Sequence, residues 1–468
     1  MLWLNMDRSL DVALKVQVYE QIRTRILRGE LKAGYKLPPS RELATHLGVS
    51  RNVVVDAYEQ LLAEGYVEGK QGSGTYVTKG AVLEQDLVEK PLFPVTSEGS
   101  QEDDPDVIDF RTGIPALDRF PRKEWGKLAK EVCEEAPNAV FGYGVPEGRV
   151  EFRYELSRYL RRTRGVYCHP DQLVITSGAT QGFSVIAKLL IAQNKTVVLE
   201  DPITQEIQTI ANSAGGVLHP VPVDLQGLKT DCLPWDITPG FVFVTPSHQF
   251  PLGVTLPIQR RIQLIQYART KETYIVEDDY DSEFRYSGEP IRSLQGLDPD
   301  RVIYVGTFSK ILSPALRMGY LILPPALIQR CRELKWLHDL HTPALDQLIL
   351  SRFIHEGRLE RHIRKMRKLY EKRRDFLKLA LEQSFGDRVS ISGDSTGLHL
   401  IAEFKDMEWT EDIQRHVQQH QVKVYPVEVH AIRKGKHLRK VILGFSNLSR
   451  EQIEEGVRRL KIACQYLP

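Results

Sequence analysis

Apolar residues recur along this chain with two different periods. Val54, Ala57, Tyr58 and Leu61 follow the i, i+3, i+4, i+7 spacing of one helix face, and Leu43, Ala44 and Leu47 form a similar face one element earlier. Gly48 permits a sharp reversal between them, with Ser40 and Ser50 placed to cap the two helices. Residues 67–77 then read as two strands around the tip Gln71-Gly72-Ser73-Gly74. Residues 1–79 are thus expected to form short helices followed by a hairpin, a small α+β domain.

Farther along, near-continuous apolar runs replace the amphipathic pattern: residues 173–176, 196–199, 241–244, 274–276, 302–305 and 320–323. Such runs, separated by helix-length segments, predict an α/β domain whose parallel sheet is covered on both faces. From about Pro324 long charged helices follow, then strands near residues 398–404, 422–425 and 441–445, as in a smaller α+β lobe. The expected organisation is a head (1–79), a linker (80–109) and a bilobal domain (110–468). Its large lobe spans about 145–323, and the remainder is the small lobe.

The linker assignment rests on charge. Between Val82 and Asp109 nine acidic residues stand against Lys90 alone, interspersed with Pro91, Pro94, Gly99 and Pro105, a composition that cannot bury enough apolar surface to fold by itself. The whole chain of 468 residues is 42% hydrophobic and 26% charged, with a mean hydropathy of −0.30, so it can build large cores. Net charge is only +2, and any nucleic-acid contact must come from the placement of basic residues rather than a global field. Five cysteines without a C-x-x-C pair suggest neither zinc nor a disulfide framework, and no metal site is expected. The N-terminus is too briefly apolar for a signal peptide, and no run is long enough to cross a bilayer; a reducing cytoplasm is the expected location.

The head carries its basic and small polar residues where the pattern puts helix starts and the hairpin tip. A helix N-terminus with Ser and free N–H groups suits a phosphate, and an arginine in the major groove suits guanine O6 and N7. The order of these elements resembles the GntR family of winged helix-turn-helix regulators, over about residues 15–78. That resemblance implies double-stranded DNA as partner and implicates Arg41, Ser50, Arg51, Asn52, Gln71 and Gly72, with Lys70 at the wing. The family's usual threonine is Val53 here, which removes one polar contact. A winged helix serving only protein interactions is the competing reading.

In the larger domain, chemistry gathers at strand ends. Lys310, in Thr307-Phe308-Ser309-Lys310, follows the run 302–305, and Arg317 follows seven residues later. A lysine facing a cleft can form a Schiff base with an aldehyde cofactor whose phosphate is met by hydroxyls and a guanidinium. Glu277-Asp278-Asp279-Tyr280 follows the run 274–276, where a buried carboxylate can keep a pyridine nitrogen protonated. Ser177-Gly178-Ala179-Thr180 ends another strand and opens a helix, a phosphate-receiving geometry.

Together these residues resemble fold type I pyridoxal-phosphate enzymes of the aminotransferase class. The variants T-P-S-H-Q-F-P-x-G, E-D-D-Y-D-S-E-F and T-F-S-K resemble the MocR/GabR regulators, which fuse such a domain to a GntR head, and the likeness extends over nearly the whole chain. It implies pyridoxal 5'-phosphate as cofactor, with Lys310 as the Schiff-base residue and Asp278 at the pyridine nitrogen. Tyr280 and His248 would lie near the 3′ oxygen, and Ala179, Thr180, Thr307, Ser309 and Arg317 at the phosphate. Tyr143 would reach a neighbouring subunit's phosphate, which implies a homodimer, head-to-tail in that family, and a bacterial transcription regulator.

Two positions depart from the enzymes. Thr204 stands where an aromatic ring would stack on the cofactor, and Ile442 where an arginine would bind the substrate carboxylate. Both losses weaken turnover more than cofactor binding. The expected function is a DNA-binding regulator that senses an amine-bearing metabolite or pyridoxal phosphate itself. The alternatives are a working aminotransferase with an appended DNA-binding domain and a cofactor-free dimerisation scaffold. The basic stretch from Arg361 to Arg374 reads as a solvated helix face.

Overall fold

In the computed structural model, which describes residues 4–82, 106–193 and 195–465, the chain divides into two units, Met1–Glu102 and Asp103–Pro468. Most of the expected acidic linker, residues 83–105, lies outside the described residues.

The first unit has helices Leu14–Leu27, Ser40–Leu47 and Arg51–Ala63 and the antiparallel strands Val67–Lys70 and Gly74–Val77. Val18, Ile22 and Ile26 of the first helix pack in one core with Val54, Ala57 and Leu61 of the third. Gly48 takes the left-handed conformation (φ 63°) that ends the second helix and allows the reversal. The second helix starts one residue earlier than expected. Pro39 occupies the capping position and its carbonyl accepts from Leu43 N, so Ser40 is the first helical residue and caps nothing. Ser50 does occupy the capping position of the third helix, but its side chain makes no capping hydrogen bond.

The second unit is organised around an eight-stranded sheet. Its spatial order is Leu173–Thr176, Gly319–Ile322, Val302–Thr307, Tyr274–Asp279, Phe241–Val244, Thr196–Asp201, Val217–Asp224 and Gly227–Leu228. The sheet departs from the all-parallel expectation at Gly319–Ile322, which is antiparallel to both neighbours. The segment after Val302–Thr307 contains no crossover helix, only a short 3-10 turn, so the chain returns antiparallel. Val217–Asp224 escaped the sequence reading because Pro220 and Pro222 interrupt its pattern, which the outer part of a sheet tolerates.

Alternate side chains of these strands enter different cores. Leu173, Ile175, Tyr304 and Tyr320 pack with Leu128, Phe152, Leu156 and Ile349 on one face; Val174, Val305 and Leu321 pack with Val185, Ile186 and Leu189 on the other. Helices Arg122–Glu135 and Ala344–His355 therefore belong to the large-sheet core, and the expected span of about 145–323 is narrower than that lobe.

The smaller sheet has the order Val389–Ser392, His399–Phe404, Lys440–Gly444, Tyr425–Pro426, and shares its core with helices Arg358–Phe385 and Arg450–Gln465. Residues 422–425, expected as one strand, form two. Val422–Lys423 leaves this sheet to pair in parallel with Ile108–Asp109, and Tyr425–Pro426 pairs with Val441 and Ile442. The last residues assigned to the linker are thus a strand, anchored by the fully buried Phe110. Among the described residues no helix is long and apolar enough to cross a membrane.

Candidate functional site

In the first unit the starts of two helices converge, with Arg51 Nε 3.5 Å from Ser40 Oγ. Arg41, Ser50, Arg51 and Asn52 are exposed around this point, and Lys70, Gln71 and Gly72 are exposed at the hairpin tip. Gly72 has φ 73°, a conformation that favours glycine in so tight a turn. Lys70 is partly offset by Glu68, 3.4 Å away, and lies 5.0 Å from the centre of the Tyr76 ring. Lys36 flanks the same ring at 5.9 Å and was missed by the sequence reading, because it reaches the hairpin through backbone pairing of residues 34–37 with residues 75–77. Arg8 was missed as well; its Nη2 donates to Gly48 O at 2.8 Å, beside the turn.

In the second unit a cavity of about 600 Å³ opens at the carboxyl ends of the parallel strands. Asp278 and Tyr280 line it, two residues apart on one side of the strand. Their neighbours face the other way: the Glu277 carboxylate accepts from Leu294 N and Gln295 N at 2.8 Å each, and Asp279 accepts from Arg164 Nε at 2.6 Å. Strand alternation thus selects Asp278 from three consecutive acids. Burial pushes its carboxyl well above the usual range, and Asp279 and Asp281 add to the effect. Asp278 Oδ1 is buried without a hydrogen-bond partner.

Lys310 lines the same cavity, with Nζ donating to Gly113 O at 2.9 Å. Burial lowers its ammonium pKa, against the opposing pull of Asp281, Asp278 and Glu206. At another part of the wall the helix Ala179–Leu190 begins after Gly178, and Ala179, Thr180, Thr307, Ser309 and Arg317 line the space before it. Arg317 holds a left-handed backbone (φ 47°) and donates from Nη2 to Ser177 O at 2.7 Å. A Cβ on Gly178 would lie 2.9 Å from that nitrogen and would push the guanidinium aside.

This donor set fits pyridoxal phosphate. A helix N-terminus, three hydroxyls and a guanidinium suit a phosphate dianion; an orphaned buried carboxylate suits a protonated ring nitrogen; a lysine amine suits an aldehyde.

Two of the expected residues do not line this cavity. His248 is buried but does not line the cavity: its Nδ1 is 2.9 Å from Asp281 Oδ1 and 3.0 Å from the Tyr280 hydroxyl, so it stands behind Tyr280. Against the carboxylate Nδ1 carries the hydrogen, which leaves the Tyr280 O–H to donate elsewhere. Phe250 lines the cavity instead. Tyr143 is 84% exposed and packs on the His341 ring, outside its own chain's cavity. His248, Asp281 and His399 bring ligand-type atoms within 4.8 Å of one another; His248 Nδ1 is engaged by Asp281 and His399 Nε2 by Pro251 O at 2.9 Å, while His248 Nε2 and His399 Nδ1 are buried without a partner.

The two departures from the enzymes do face the cavity. Thr204 caps the helix Gln205–Ser213, its Oγ1 accepting from Ile207 N at 3.4 Å. Ile442 is fully buried against Phe250, Ile401 and Val427. Six polar lining residues were not anticipated: Arg111, Thr112, Glu206, Thr245, Tyr425 and His430. Arg111 lies two residues past the strand that pairs with the small lobe; its Nε donates to the Tyr425 hydroxyl at 3.2 Å and lies 3.6 Å from Asp109 Oδ2, while Asp109 Oδ1 accepts from Tyr425 at 2.8 Å.

Residues 105–460 match the family described as aminotransferase class I and II, and residues 14–77 match the bacterial regulatory proteins of the gntR family. The chain is 35% identical to the probable rhizopine catabolism regulatory protein MocR of Rhizobium meliloti, over 98% of this chain and 95% of that protein. It is 33% identical to the pyridoxine biosynthesis transcriptional regulator PdxR of Corynebacterium glutamicum, over 83% of each. Among solved structures, a multiple substrate aminotransferase from Thermococcus profundus superposes with a TM-score of 0.72 at 29% identity, over 77% of this chain and 92% of that one. The kynurenine aminotransferase of Pyrococcus horikoshii does so with a TM-score of 0.71 at 27% identity, over 77% and 91%.

Proposed function

Because the chain belongs to the MocR-type GntR regulators, in which a helix-turn-helix head precedes a class I/II aminotransferase domain, we propose that it is a cytoplasmic transcription regulator whose larger domain binds pyridoxal phosphate. The observation that carries the cofactor reading is the pairing of an orphaned, buried Asp278 Oδ1 with the Lys310 amine in one cavity. When bound, pyridoxal phosphate supplies an electrophilic aldehyde carbon and an electron-withdrawing ring. Lys310, its proton loosened by burial, is the amine that meets that carbon. Asp278 holds its charge against a ring N–H and gains the partner it otherwise lacks. Tyr280, its oxygen held by His248 Nδ1, directs its O–H into the cavity, and Thr180, Thr307, Ser309 and Arg317 orient the phosphate.

The apolar wall at Ile442 and the missing ring at Thr204 favour sensing of an amine-bearing metabolite, or of the cofactor, over turnover. A homodimer is part of this reading. Phe141, Tyr143, Val145, Trp336 and Leu337 are exposed large apolar side chains, with Pro146, Trp336 and Leu337 around one depression, and a second copy would cover them and give Tyr143 a neighbour's phosphate to reach. In the head, Arg51 and Asn52 are the base-reading side chains, and Arg41, Lys70 and the backbone at Gly72 are phosphate contacts.

The test is a gel shift of the full chain on the DNA upstream of its own gene, with and without pyridoxal phosphate, alongside borohydride reduction and peptide mapping. Sequence-specific retardation that responds to the cofactor, with a pyridoxyl group on Lys310, is expected. Absence of the label from Lys310 defeats the cofactor reading; steady multiple-turnover transamination of ordinary amino acids promotes the enzyme.

A further inference from the structure

Lys335 is a fully buried lysine that lies outside the cavity wall. It stands on the helix Ile328–Asp339, and its Nζ donates to Asp339 Oδ1 at 2.6 Å and to the Thr342 hydroxyl at 3.2 Å. Burial lowers its ammonium pKa, and the Asp339 carboxylate opposes that shift. Leu340, between the two partners, has φ 61°, a conformation costly for a leucine, and the chain turns there so that both reach one amine. Two arms lead from this amine to the loop before the helix Ala179–Leu190. In the first, Asp339 Oδ2 accepts from Gln181 Nε2 at 2.9 Å, Gln181 Oε1 accepts from Ser177 N at 2.7 Å, and Ser177 O accepts from Arg317 Nη2 at 2.7 Å. In the second, Thr342 donates to Ile175 O at 3.1 Å, two residues before Ser177.

Both the start of the helix and the direction of the Arg317 guanidinium therefore depend on how the backbone of Ser177 is held. We propose that Lys335, Asp339 and Gln181 form a positioning relay, acting in series, that presets the phosphate end of the cavity through Ser177. None of the three side chains lines the cavity, so none touches the phosphate itself. The loop has little slack on its other side, where a Cβ on Gly319 would lie 2.7 Å from the carbonyl carbon of Gly178. Donors already ordered when the protein folds bind an anion more tightly than donors that must be ordered by it. This rests on the reading of the cavity as a pyridoxal-phosphate site, and adds to it the groups that make the site select the phosphate.

The experiment titrates the cofactor-stripped full chain with pyridoxal phosphate and, separately, with pyridoxal, which keeps the ring and aldehyde but lacks the phosphate. Binding is read from the absorbance of the cofactor joined to Lys310. Gln181→Met, similar in size but without either hydrogen bond, should weaken pyridoxal phosphate by about tenfold or more while pyridoxal stays within about twofold. Lys335→Met should give the same selective loss to a smaller degree, because it acts through Asp339. In a series relay the double variant should bind pyridoxal phosphate within about twofold of Gln181→Met alone. Gln181 is only half-buried, so its variant carries the test by itself if Lys335→Met does not fold. Equal loss of both ligands would be general damage and overturns the relay, as do unchanged pyridoxal-phosphate affinity in Gln181→Met and additive losses in the double variant. Failure of the unmodified chain to take up pyridoxal phosphate at Lys310 overturns the cofactor reading, and this one with it.

Discussion

Lys310 Nζ donates to the carbonyl oxygen of Gly113, 2.9 Å away, although the two residues are separated by 197 positions. Gly113 has φ 79°, and a Cβ there would lie 2.7 Å from the same nitrogen. The backbone there favours glycine, and any Cβ would make the amine shift. Gly113→Ala should cost about 1–2 kcal/mol for the left-handed residue. It should also displace Lys310, cutting the yield of borohydride-trapped pyridoxyl adduct severely while far-UV circular dichroism stays native. Full labelling of the variant would show that this contact does not position the lysine.

Asp278→Asn separates cofactor binding from stability. Burial already favours the neutral form of Asp278, so removing the charge should leave the cofactor-free protein equally or more stable. Affinity for pyridoxal phosphate should nevertheless fall by about tenfold or more, because a ring N–H would lose a charge-assisted acceptor. Thermal unfolding with and without cofactor reads both effects, and a destabilised cofactor-free variant would count against the assignment.

DNA recognition divides between Arg51 and the wing. Arg51→Ala should lose about 1–3 kcal/mol of operator affinity with relaxed sequence preference. Lys36→Gln should weaken specific and unrelated DNA alike and lower the slope of log affinity against log salt by about one. Equal loss on both DNAs for Arg51→Ala would move base readout elsewhere.

A pH effect follows from Glu200, fully buried and pushed up to about 7 by that burial, although Thr245 and Gln249 donate to it. A carboxyl whose folded pKa is raised binds its proton more tightly in the folded state. Its contribution is complete below the unfolded value near 4.5 and is lost as pH rises through about 7. Glu200→Gln should flatten the fall in stability across that window by up to about 1.4 kcal/mol per pH unit. Denaturant titrations between pH 5 and about 8 measure it; an unchanged slope would place the titration on other groups.

Much of this architecture was legible because strand and helix periods are local properties. The buried runs at 173–176, 241–244, 274–276 and 302–305 stood out as unbroken apolar stretches, with Asp278 and Tyr280 following the third and Lys310 and Arg317 the fourth. What failed to show was set by partners distant in sequence. Arg111 reaches the cavity only because Ile108–Asp109 pairs with Val422–Lys423, more than 300 residues on, and an acidic stretch beside it reads as linker. That Asp281 holds His248 Nδ1 behind Tyr280 was not legible either, because the sequence neighbours of His248 give no sign of that contact. The antiparallel strand Gly319–Ile322 looks like its parallel neighbours residue by residue; only the connection before it fixes its direction.

The pairing of Ile108–Asp109 with Val422–Lys423 also decides where traction can be applied. The chain coming from the head enters the larger unit at a strand stitched to the small lobe, not at the eight-stranded sheet, and Tyr425 lies two residues past that stitch with its hydroxyl on Asp109. The point where the chain enters the larger unit and one wall of the cavity thus share one hydrogen-bonded corner, so a rotation of the small lobe about the large one would carry that entry point with it.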